Sequence, residues 1–163
     1  MFEIFYPDFH FSSIKDISAD FFVKNNMRYA ILDIDNTLIS YKTERADDTA
    51  RAFLSMLTEN GIKYIFLSNN HADRVELFAG EFDADYVCDA RKPLKKGVML
   101  ALEKIGAKKS ETVLIGDQVF TDIYAGKRSG IKTVMVDPIE AKETPFFGVK
   151  RYFERIVLKN YKG

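Results

Sequence analysis

The stretch YAILDIDNTLIS, from Tyr29 to Ser40, decides which fold this chain adopts. Its apolar start predicts a buried β-strand over Tyr29–Ile34, because such runs are typical of strands that are covered on both faces. Two aspartates, Asp33 and Asp35, lie at the end of this strand, separated by one residue. Neighbouring carboxylates repel each other unless a cation lies beside them. The stretch therefore predicts a sheet with a charged site at the end of one strand.

The composition is typical of a globular protein with one core. Of the 163 residues, 47% are hydrophobic and 29% are charged, which is enough apolar material for a single domain. Lys and Arg number 24, as do Asp and Glu, so no net charge favours a nucleic-acid partner. The sequence has one cysteine, Cys88, which excludes an internal disulfide and fits a reducing cytoplasm. With no signal peptide and no membrane-spanning run in this sequence, we expect a cytoplasmic protein.

Apolar runs alternate with amphipathic segments along most of the chain. We predict five strands, at Tyr29–Ile34, Lys63–Leu67, Tyr86–Cys88, Thr112–Ile115 and Lys132–Val136. Helices are expected between them, from Asp47-Asp48 to Gly61 and at His71–Phe82, Lys95–Ile105 and Val119–Ser129. This alternation predicts an α/β fold, a three-layer α/β/α arrangement around a five-stranded parallel sheet. We expect one domain over residues 1–163, with an aromatic segment at 1–28 and an amphipathic segment at 144–163 packed on its core or flanking it.

Four polar clusters follow the predicted strands, at the edge where parallel sheets bind ligands. They are Asp33 to Thr37, Ser68-Asn69-Asn70, Arg91-Lys92-Pro93 and Gly116 to Asp122. Each cluster also has a structural explanation. The first could be an Asx-rich turn and the second a helix cap, Lys92 could be a solvated surface lysine, and Asp117 and Asp122 could begin a helix.

The combination of the four clusters favours a metal and phosphate site. Asp33, Asp35, Asp117 and Asp122 would bring several carboxylates into a small volume, and oxygen ligands of this kind suit Mg²⁺. Lys92 offers a point charge and Ser68 a hydroxyl for a phosphate group. Backbone N–H groups after Ser68 would complete an anion site.

These motifs resemble the haloacid dehalogenase (HAD) superfamily of phosphotransferases with an aspartate nucleophile. The chain has DIDNT at Asp33–Thr37, LSNN at Leu67–Asn70, Lys92 within RKP, and GDQVFTD at Gly116–Asp122. The sequences of these motifs are similar to those of subfamily IIIA, the YqeG-like branch that includes phosphatidylglycerophosphate phosphatases. The sequence departs from that branch at Gly126-Lys127, where we expect a Gly-Asn pair.

The resemblance implies a Rossmann-like, HAD-like fold and a specific division of roles. Asp33 would attack phosphorus and form an aspartyl phosphate, and Asp35 would act first as general acid and then as general base. Burial beside other acids would keep the Asp35 carboxyl group protonated until it donates its proton. Mg²⁺ would be bound by Asp33, the backbone carbonyl of Asp35 and Asp117, with Asp122 in or near the second coordination sphere. Ser68, Asn69 and Lys92 would bind the phosphoryl group.

The spacing of the motifs bears on the substrate. Many members of the superfamily that this chain resembles insert a cap domain after the first or third strand. Here Asn36–Asp48 is too short for one, and Asp89–Lys92 leaves no room. A capless, open site suits a phosphate on a large molecule or a lipid, such as phosphatidylglycerophosphate. Two alternatives stay open: a phosphatase of a small soluble ester, and a non-catalytic phosphoacceptor signalling domain.

Aromatic residues are concentrated at both ends of the chain, and the C-terminal segment predicts an amphipathic helix with basic flanks. We expect both ends to pack on the sheet or on each other, with peripheral contact to a membrane as the alternative. His71 is expected to be a surface residue near the site.

Overall fold

Six parallel strands form the central sheet of the part of the chain that the structure describes. A computed structural model describes residues 3–140, 145–159 and 161, without the side chains of 145–147 and 151. The strands are β1 (Phe9–Phe11), β2 (Tyr29–Leu32), β3 (Lys63–Leu67), β4 (Tyr86–Val87), β5 (Thr112–Gly116) and β6 (Lys132–Val136). Their order across the sheet is β1-β6-β5-β2-β3-β4. Strand β2 lies between β3 and β5. The chain adds β3 and β4 on one side of β2 and then returns to add β5 and β6 on the other side.

The prediction of five strands was wrong by one, because β1 was not predicted. This strand has three residues and pairs in parallel with β6, with Phe9 opposite Val134. So short a segment shows no periodicity, and the pairing that makes it a strand comes from a partner far along the chain. The α/β fold with a parallel sheet is confirmed.

Helices cover both faces of the sheet. They are α1 (Ala19–Lys24), α2 (Asp48–Glu59), α3 (Ala72–Gly80), α4 (Lys95–Ile105), α5 (Tyr124–Ser129) and α6 (Pro145–Leu158). Along β2, Ala30 and Leu32 enter one hydrophobic cluster with residues of α1, α2 and α3, whereas Ile31 enters another with residues of α4 and α5. This alternation of sides, with every other residue pointing the same way, produces the three layers.

The predicted helix after Asp47-Asp48 is confirmed in its start and its buried face. The Asp47 carboxylate accepts a hydrogen bond from the Ala50 backbone N–H at 2.8 Å, so it caps α2. The four residues predicted to share one face are all buried: Ala50, Phe53, Leu54 and Leu57. The helix predicted over Val119–Ser129 differs from the structure. It begins as a π-helical turn at Val119–Ile123 and becomes α-helical only at Tyr124.

Both terminal segments contact the core, and α6 also exposes apolar side chains. Ile14, Ile17 and Phe22 are buried in the cluster under α1 to α3. Val157 of α6 is buried against Val119, Ile123 and Met135. In contrast, α6 leaves an apolar stripe exposed, formed by Val149, Tyr152, Phe153 and Ile156. Within the described ranges, no helix combines the length and the apolar character that a membrane crossing requires.

Candidate active site

The ends of β2, β3 and β5 bring three of the polar clusters to one edge of the sheet. Leu32, the last residue of β2, lies opposite Phe66 of β3 and Ile115 of β5. Asp33, Ser68 and Asp117 follow these strands directly. Because the strands are parallel and in register, residues far apart in the sequence become neighbours at the carboxyl edge.

Three buried aspartates form a compact group at this edge. Asp33, Asp117 and Asp122 each offer a carboxylate oxygen, and these oxygens lie within 4.8 Å of one another. The Lys92 ammonium lies among them, with Nζ 2.6 Å from Asp33 Oδ1 and 2.7 Å from Asp122 Oδ1. It also donates to the Leu67 carbonyl oxygen at 3.0 Å. The Lys92 side chain is only 3% exposed, so the interpretation of Lys92 as a solvated surface lysine is wrong.

For each partner of this ion pair, burial and the neighbouring opposite charge have opposing effects on the pKa. Burial raises the pKa of Asp33, Lys92 acts against that rise, and the carboxylates of Asp122 and Asp117 add to it. For Lys92, burial would lower the pKa, but the carboxylates of Asp122 and Asp33 outweigh it and the pKa rises. Lys92 is therefore held as an ammonium, whereas burial, together with the neighbouring carboxylates, raises the pKa of Asp33.

A divalent cation fits this group by the chemistry of its donors. Three carboxylates share a small buried volume, and the positive charge of Lys92 offsets only part of theirs. Hard oxygen donors of this kind bind hard divalent cations such as Mg²⁺. Asp33, Asp117 and Asp122 are thus able to hold a metal ion.

A glycine lets Asp122 reach the end of β5. A Cβ added to Gly116 would lie 2.4 Å from both Cβ and Cγ of Asp122, closer than atoms can approach. The π-helical turn then folds Asp122 back, so that its Oδ2 accepts from the Gln118 backbone N–H at 3.1 Å. Asp122 therefore stabilises its own turn while it also contacts Lys92.

The Ser68-Asn69-Asn70 cluster does not cap the following helix, so that alternative is wrong. Helix α3 begins at Ala72 after His71, and the Ser68 Oγ instead accepts from the Asn70 backbone N–H at 3.1 Å. The Asn69 side chain binds the backbone of Lys92, accepting from its N–H at 2.7 Å and donating to its carbonyl at 3.2 Å. Asn69 thereby positions the loop that carries Lys92.

Asp35 lies apart from the three buried aspartates, contrary to the expectation that other acids would surround it. Its Oδ1 accepts from Arg74 Nε at 2.9 Å and from Arg74 Nη2 at 2.6 Å. Its Oδ2 accepts from Asn70 Nδ2 at 2.5 Å. The physical reason is that β2 ends at Leu32 and the backbone turns between Ile34 and Ile39, so Asp33 and Asp35 do not share one side as residues two apart in a strand would.

Two side chains that contact the motif aspartates were not predicted as site residues. Thr37 donates from Oγ1 to Asp33 Oδ2 at 2.8 Å, and Arg74 holds Asp35. A signal for Arg74 was present, because a cation in the first turn of a helix opposes the helix dipole and needs a nearby anion. No comparable signal marked Thr37 beyond its place in the motif.

Two further residues have partners near the site or behind it. His71 forms an exposed contact with Asp89, with Nδ1 2.8 Å from Oδ1. Lys127, where the sequence departs from the expected pattern, donates from Nζ to Asp8 Oδ1 at 2.9 Å. Gly126 allows α5 to approach β6, since an added Cβ would lie 2.4 Å from Thr133 Cγ2. The sequence difference at Gly126-Lys127 therefore affects the packing of α5 against β6 and the contact with Asp8, behind the site.

Comparisons with known proteins agree with this geometry. Residues 41–130 match the family described as haloacid dehalogenase-like hydrolase. A probable phosphatase, YqeG, of Bacillus subtilis (strain 168) is 31% identical over 160 residues, which cover 98% of this chain and 93% of that protein. A chloroplastic/mitochondrial phosphatidylglycerophosphate phosphatase 1 of Arabidopsis thaliana is 44% identical over 41 residues, 25% of this chain and 12% of that one.

A solved structure shows the same fold. The crystal structure of a HAD-superfamily hydrolase from Ehrlichia chaffeensis superposes with a TM-score of 0.57 at 17% identity. The match covers 81% of this chain and 98% of that chain.

Proposed function

Because this chain belongs to the haloacid dehalogenase-like hydrolases, we propose that it is a Mg²⁺-dependent phosphatase that cleaves phosphate monoesters through an aspartyl phosphate on Asp33. The observation that carries the proposal is the Lys92 ammonium, which is buried between Asp33 and Asp122 at the end of the central strand. A buried cation that contacts a carboxylate from each of two motifs fits a site for phosphoryl transfer.

The contacts of Asp33 orient its carboxylate for attack. Thr37 holds Oδ2 and Lys92 holds Oδ1, so rotation of the group is restricted. An Asp33 oxygen forms a bond to phosphorus as the bond from phosphorus to the leaving oxygen breaks. Lys92 offsets the negative charge that the carboxylate and the transferred phosphoryl group bring together.

Asp35 is proposed to move the protons. In the first step it donates a proton to the leaving alkoxide, which departs as an alcohol. In the second it takes a proton from water, whose oxygen attacks phosphorus and releases Asp33 and inorganic phosphate. Arg74 and Asn70 hold the Asp35 carboxylate in the resting structure.

Mg²⁺ would be held by the carboxylates of Asp33 and Asp117 and the backbone carbonyl of Asp35, with Asp122 beside it. When bound, it would neutralise carboxylate and phosphoryl charge and polarise a phosphoryl oxygen. The predicted phosphate contacts of Ser68 and Asn69 remain part of the proposal.

Turnover of para-nitrophenyl phosphate with and without Mg²⁺ tests the reaction class. We expect metal-dependent release of nitrophenol, its loss in Asp33→Asn, and full activity in the control Asp85→Asn, which changes an exposed acid. Asp33→Asn with wild-type activity would contradict the nucleophile assignment. Stoichiometric phosphorylation without turnover would favour the phosphoacceptor alternative.

For the substrate we propose a phospholipid with a terminal phosphate monoester, such as phosphatidylglycerophosphate. A cavity of about 350 Å³ adjoins Thr37 and shares Ile14, Lys15 and Thr49 with a groove of about 520 Å³ along α2. The groove is mainly apolar, and Lys15 at the junction could pair with a second phosphate. The partial match to a phosphatidylglycerophosphate phosphatase supports the same substrate class.

The exposed stripe of α6 supports peripheral contact with a membrane. Its members follow helical spacing, at Val149, Tyr152, Phe153 and Ile156. Arg155 and Lys159 beside the stripe are exposed and basic, whereas Glu154 is buried. An apolar stripe with basic neighbours favours binding at an anionic lipid surface.

A panel of phosphate esters tests the substrate class. Phosphatidylglycerophosphate in anionic vesicles should release phosphate much faster than soluble sugar phosphates do, and Phe153→Glu should slow only the vesicle reaction. The matched control is Val23→Glu, which places the same charge at an exposed apolar position of α1. Equal rates on vesicles and soluble esters would favour the small-ester alternative.

A further inference from the structure

Arg74 occupies a position that its own helix disfavours. It is the third residue of α3, where the positive end of the helix dipole opposes a cation. Its side chain is also 24% exposed, so part of its hydration is lost. Contacts elsewhere in the molecule must compensate for both effects.

The first of these contacts is with Asp35. Arg74 donates from Nε and Nη2 to Asp35 Oδ1, at 2.9 and 2.6 Å. Asn70 donates from Nδ2 to the other oxygen, Asp35 Oδ2. The carboxylate is thus held by donors that come from α3 and the loop before it.

The second contact joins α3 to a different segment of the chain. Arg74 Nη2 also donates to the carbonyl oxygens of Thr43, at 2.6 Å, and Tyr41, at 3.3 Å. Both carbonyls belong to the segment between β2 and α2. A planar guanidinium can bridge a carboxylate and backbone carbonyls at once, whereas a lysine ammonium has no such fixed arrangement of donors.

We propose that Arg74 is a positioning residue of the proposed phosphatase, and that it fixes the Asp35 carboxylate and the Tyr41–Thr43 segment in one arrangement. This inference depends on the proposed function of Asp35 in proton transfer. Loss of Arg74 would release the carboxylate and the segment together. Proton donation to the leaving group would then suffer more than the attack by Asp33, which has its own contacts to Thr37 and Lys92.

The dependence of the rate on the leaving group separates this role from a general loss of structure. In Arg74→Ala we expect kcat/KM for an alkyl ester, glycerol phosphate, to fall roughly 100-fold, because a poor leaving group requires the acid. For para-nitrophenyl phosphate, whose leaving group needs little protonation, we expect a fall of about tenfold or less. The ratio kcat/KM reports only the steps up to departure of the alcohol, so the role of Asp35 as base in the second step does not enter this comparison.

Two further variants sharpen the comparison. Arg74→Lys keeps the charge without the bridge, and it should recover only part of the rate on the alkyl ester. Arg28→Ala is the matched control, because Arg28 is 72% exposed and lies before β2, at the end of the strand away from the site. Equal falls of kcat/KM on the two esters in Arg74→Ala would overturn the inference, as would wild-type values on both.

Hydrogen exchange tests the same arrangement without catalysis. The amides of Lys42 and Thr43 are bonded to Ser40, to its Oγ at 3.1 Å and its carbonyl at 3.0 Å. Their exchange should become faster in Arg74→Ala and remain unchanged in Arg28→Ala, and unchanged exchange in both variants would overturn the inference. If the wild-type protein hydrolysed neither ester, the proposed function would fail, while the exchange rates would still decide whether Arg74 fixes this segment.

Discussion

Lys92 shows how one side chain depends on partners that are distant in the sequence. Its ammonium is almost fully buried and is stabilised there by Asp33, Asp122 and the Leu67 carbonyl. Two buried charges that satisfy each other are tolerated, but either charge left without the other is costly. The residue therefore serves both stability and the proposed chemistry.

Replacing Lys92 by Met should destabilise the protein strongly when no metal is bound. We expect the free energy of unfolding to fall by about 3–5 kcal/mol, because buried carboxylates lose their ammonium partner. Urea denaturation in the presence of EDTA measures this change. Lys24→Met is the control, since Lys24 is an exposed lysine of α1, and it should change stability by less than about 0.5 kcal/mol. A fall in Lys92→Met as small as the control would contradict the account.

The residues of the site differ in how well the sequence could reveal them. Asp33 and Asp117 could be predicted because each directly follows a buried strand, and strand ends converge in any parallel sheet. The neighbours of Asp35 could not be predicted, because its contact with Arg74 depends on how α3 lies against the segment after β2. The same holds for Asn69, whose side chain binds the Lys92 backbone 23 residues away.

At the scale of elements, the turn after β5 is shaped by a close approach to Gly116. Replacing Gly116 by Ala should displace Asp122, since the new Cβ would lie 2.4 Å from it. We expect phosphatase activity to fall at least tenfold, measured with para-nitrophenyl phosphate, because Asp122 and Lys92 would separate. Gly80→Ala is the matched control, with no atom within 4 Å of the added Cβ. Wild-type activity in Gly116→Ala would show that Asp122 need not lie against β5.

Strand β1 is attached to the sheet through Asp8, which precedes it. The Asp8 carboxylate accepts hydrogen bonds from Lys127 and from the backbone and side chain of Thr133. Burial alone would raise the pKa of Asp8, but these hydrogen bonds outweigh it and hold the pKa below its ordinary value of 3.8. Asp8 is therefore more acidic in the folded chain than in the unfolded chain.

Replacing Asp8 by Asn should lower stability in a way that depends on pH. Since the folded pKa is depressed, the contribution of Asp8 is complete above about 3.8 and is lost as the pH falls through the folded pKa. At neutral pH we expect Asp8→Asn to cost about 1–3 kcal/mol in urea denaturation. The difference from wild type should shrink below pH 4, and Asp85→Asn should show no comparable loss. A difference that stays constant from neutral pH to pH 3 would contradict this interpretation.

At the scale of the whole molecule, the sheet order gathers motifs that span nearly ninety residues of sequence. Apolar runs predicted β2, β3, β5 and β6 because strands covered by helices on both faces must be apolar throughout. The edge strand β1 escaped prediction, since it is short and its pairing with β6 is a long-range contact. The apolar stripe of α6 shows a similar limit: the sequence predicted an amphipathic helix but not which apolar residues would be buried.

Binding of Mg²⁺ should stabilise the whole fold, because the proposed ligands come from two segments that are distant in the sequence, one after β2 and one after β5. At a metal concentration 100-fold above Kd, the gain is about 2.7 kcal/mol, which should raise Tm in calorimetry. Asp117→Asn should abolish most of this rise, whereas Asp85→Asn should retain it. A Tm that does not respond to Mg²⁺ in the wild-type protein would contradict the proposed metal site.

The most direct measurement of the central claim is the location of the phosphoryl group on the protein. In Asp35→Asn the second step lacks its base, so the phosphorylated protein should accumulate with para-nitrophenyl phosphate and Mg²⁺. Mass spectrometry after acid quenching should then find one phosphoryl group on the peptide that contains Asp33, and none when Asp33 is also replaced by Asn. A phosphoryl group on another residue, or the same modification in the double variant, would contradict the account.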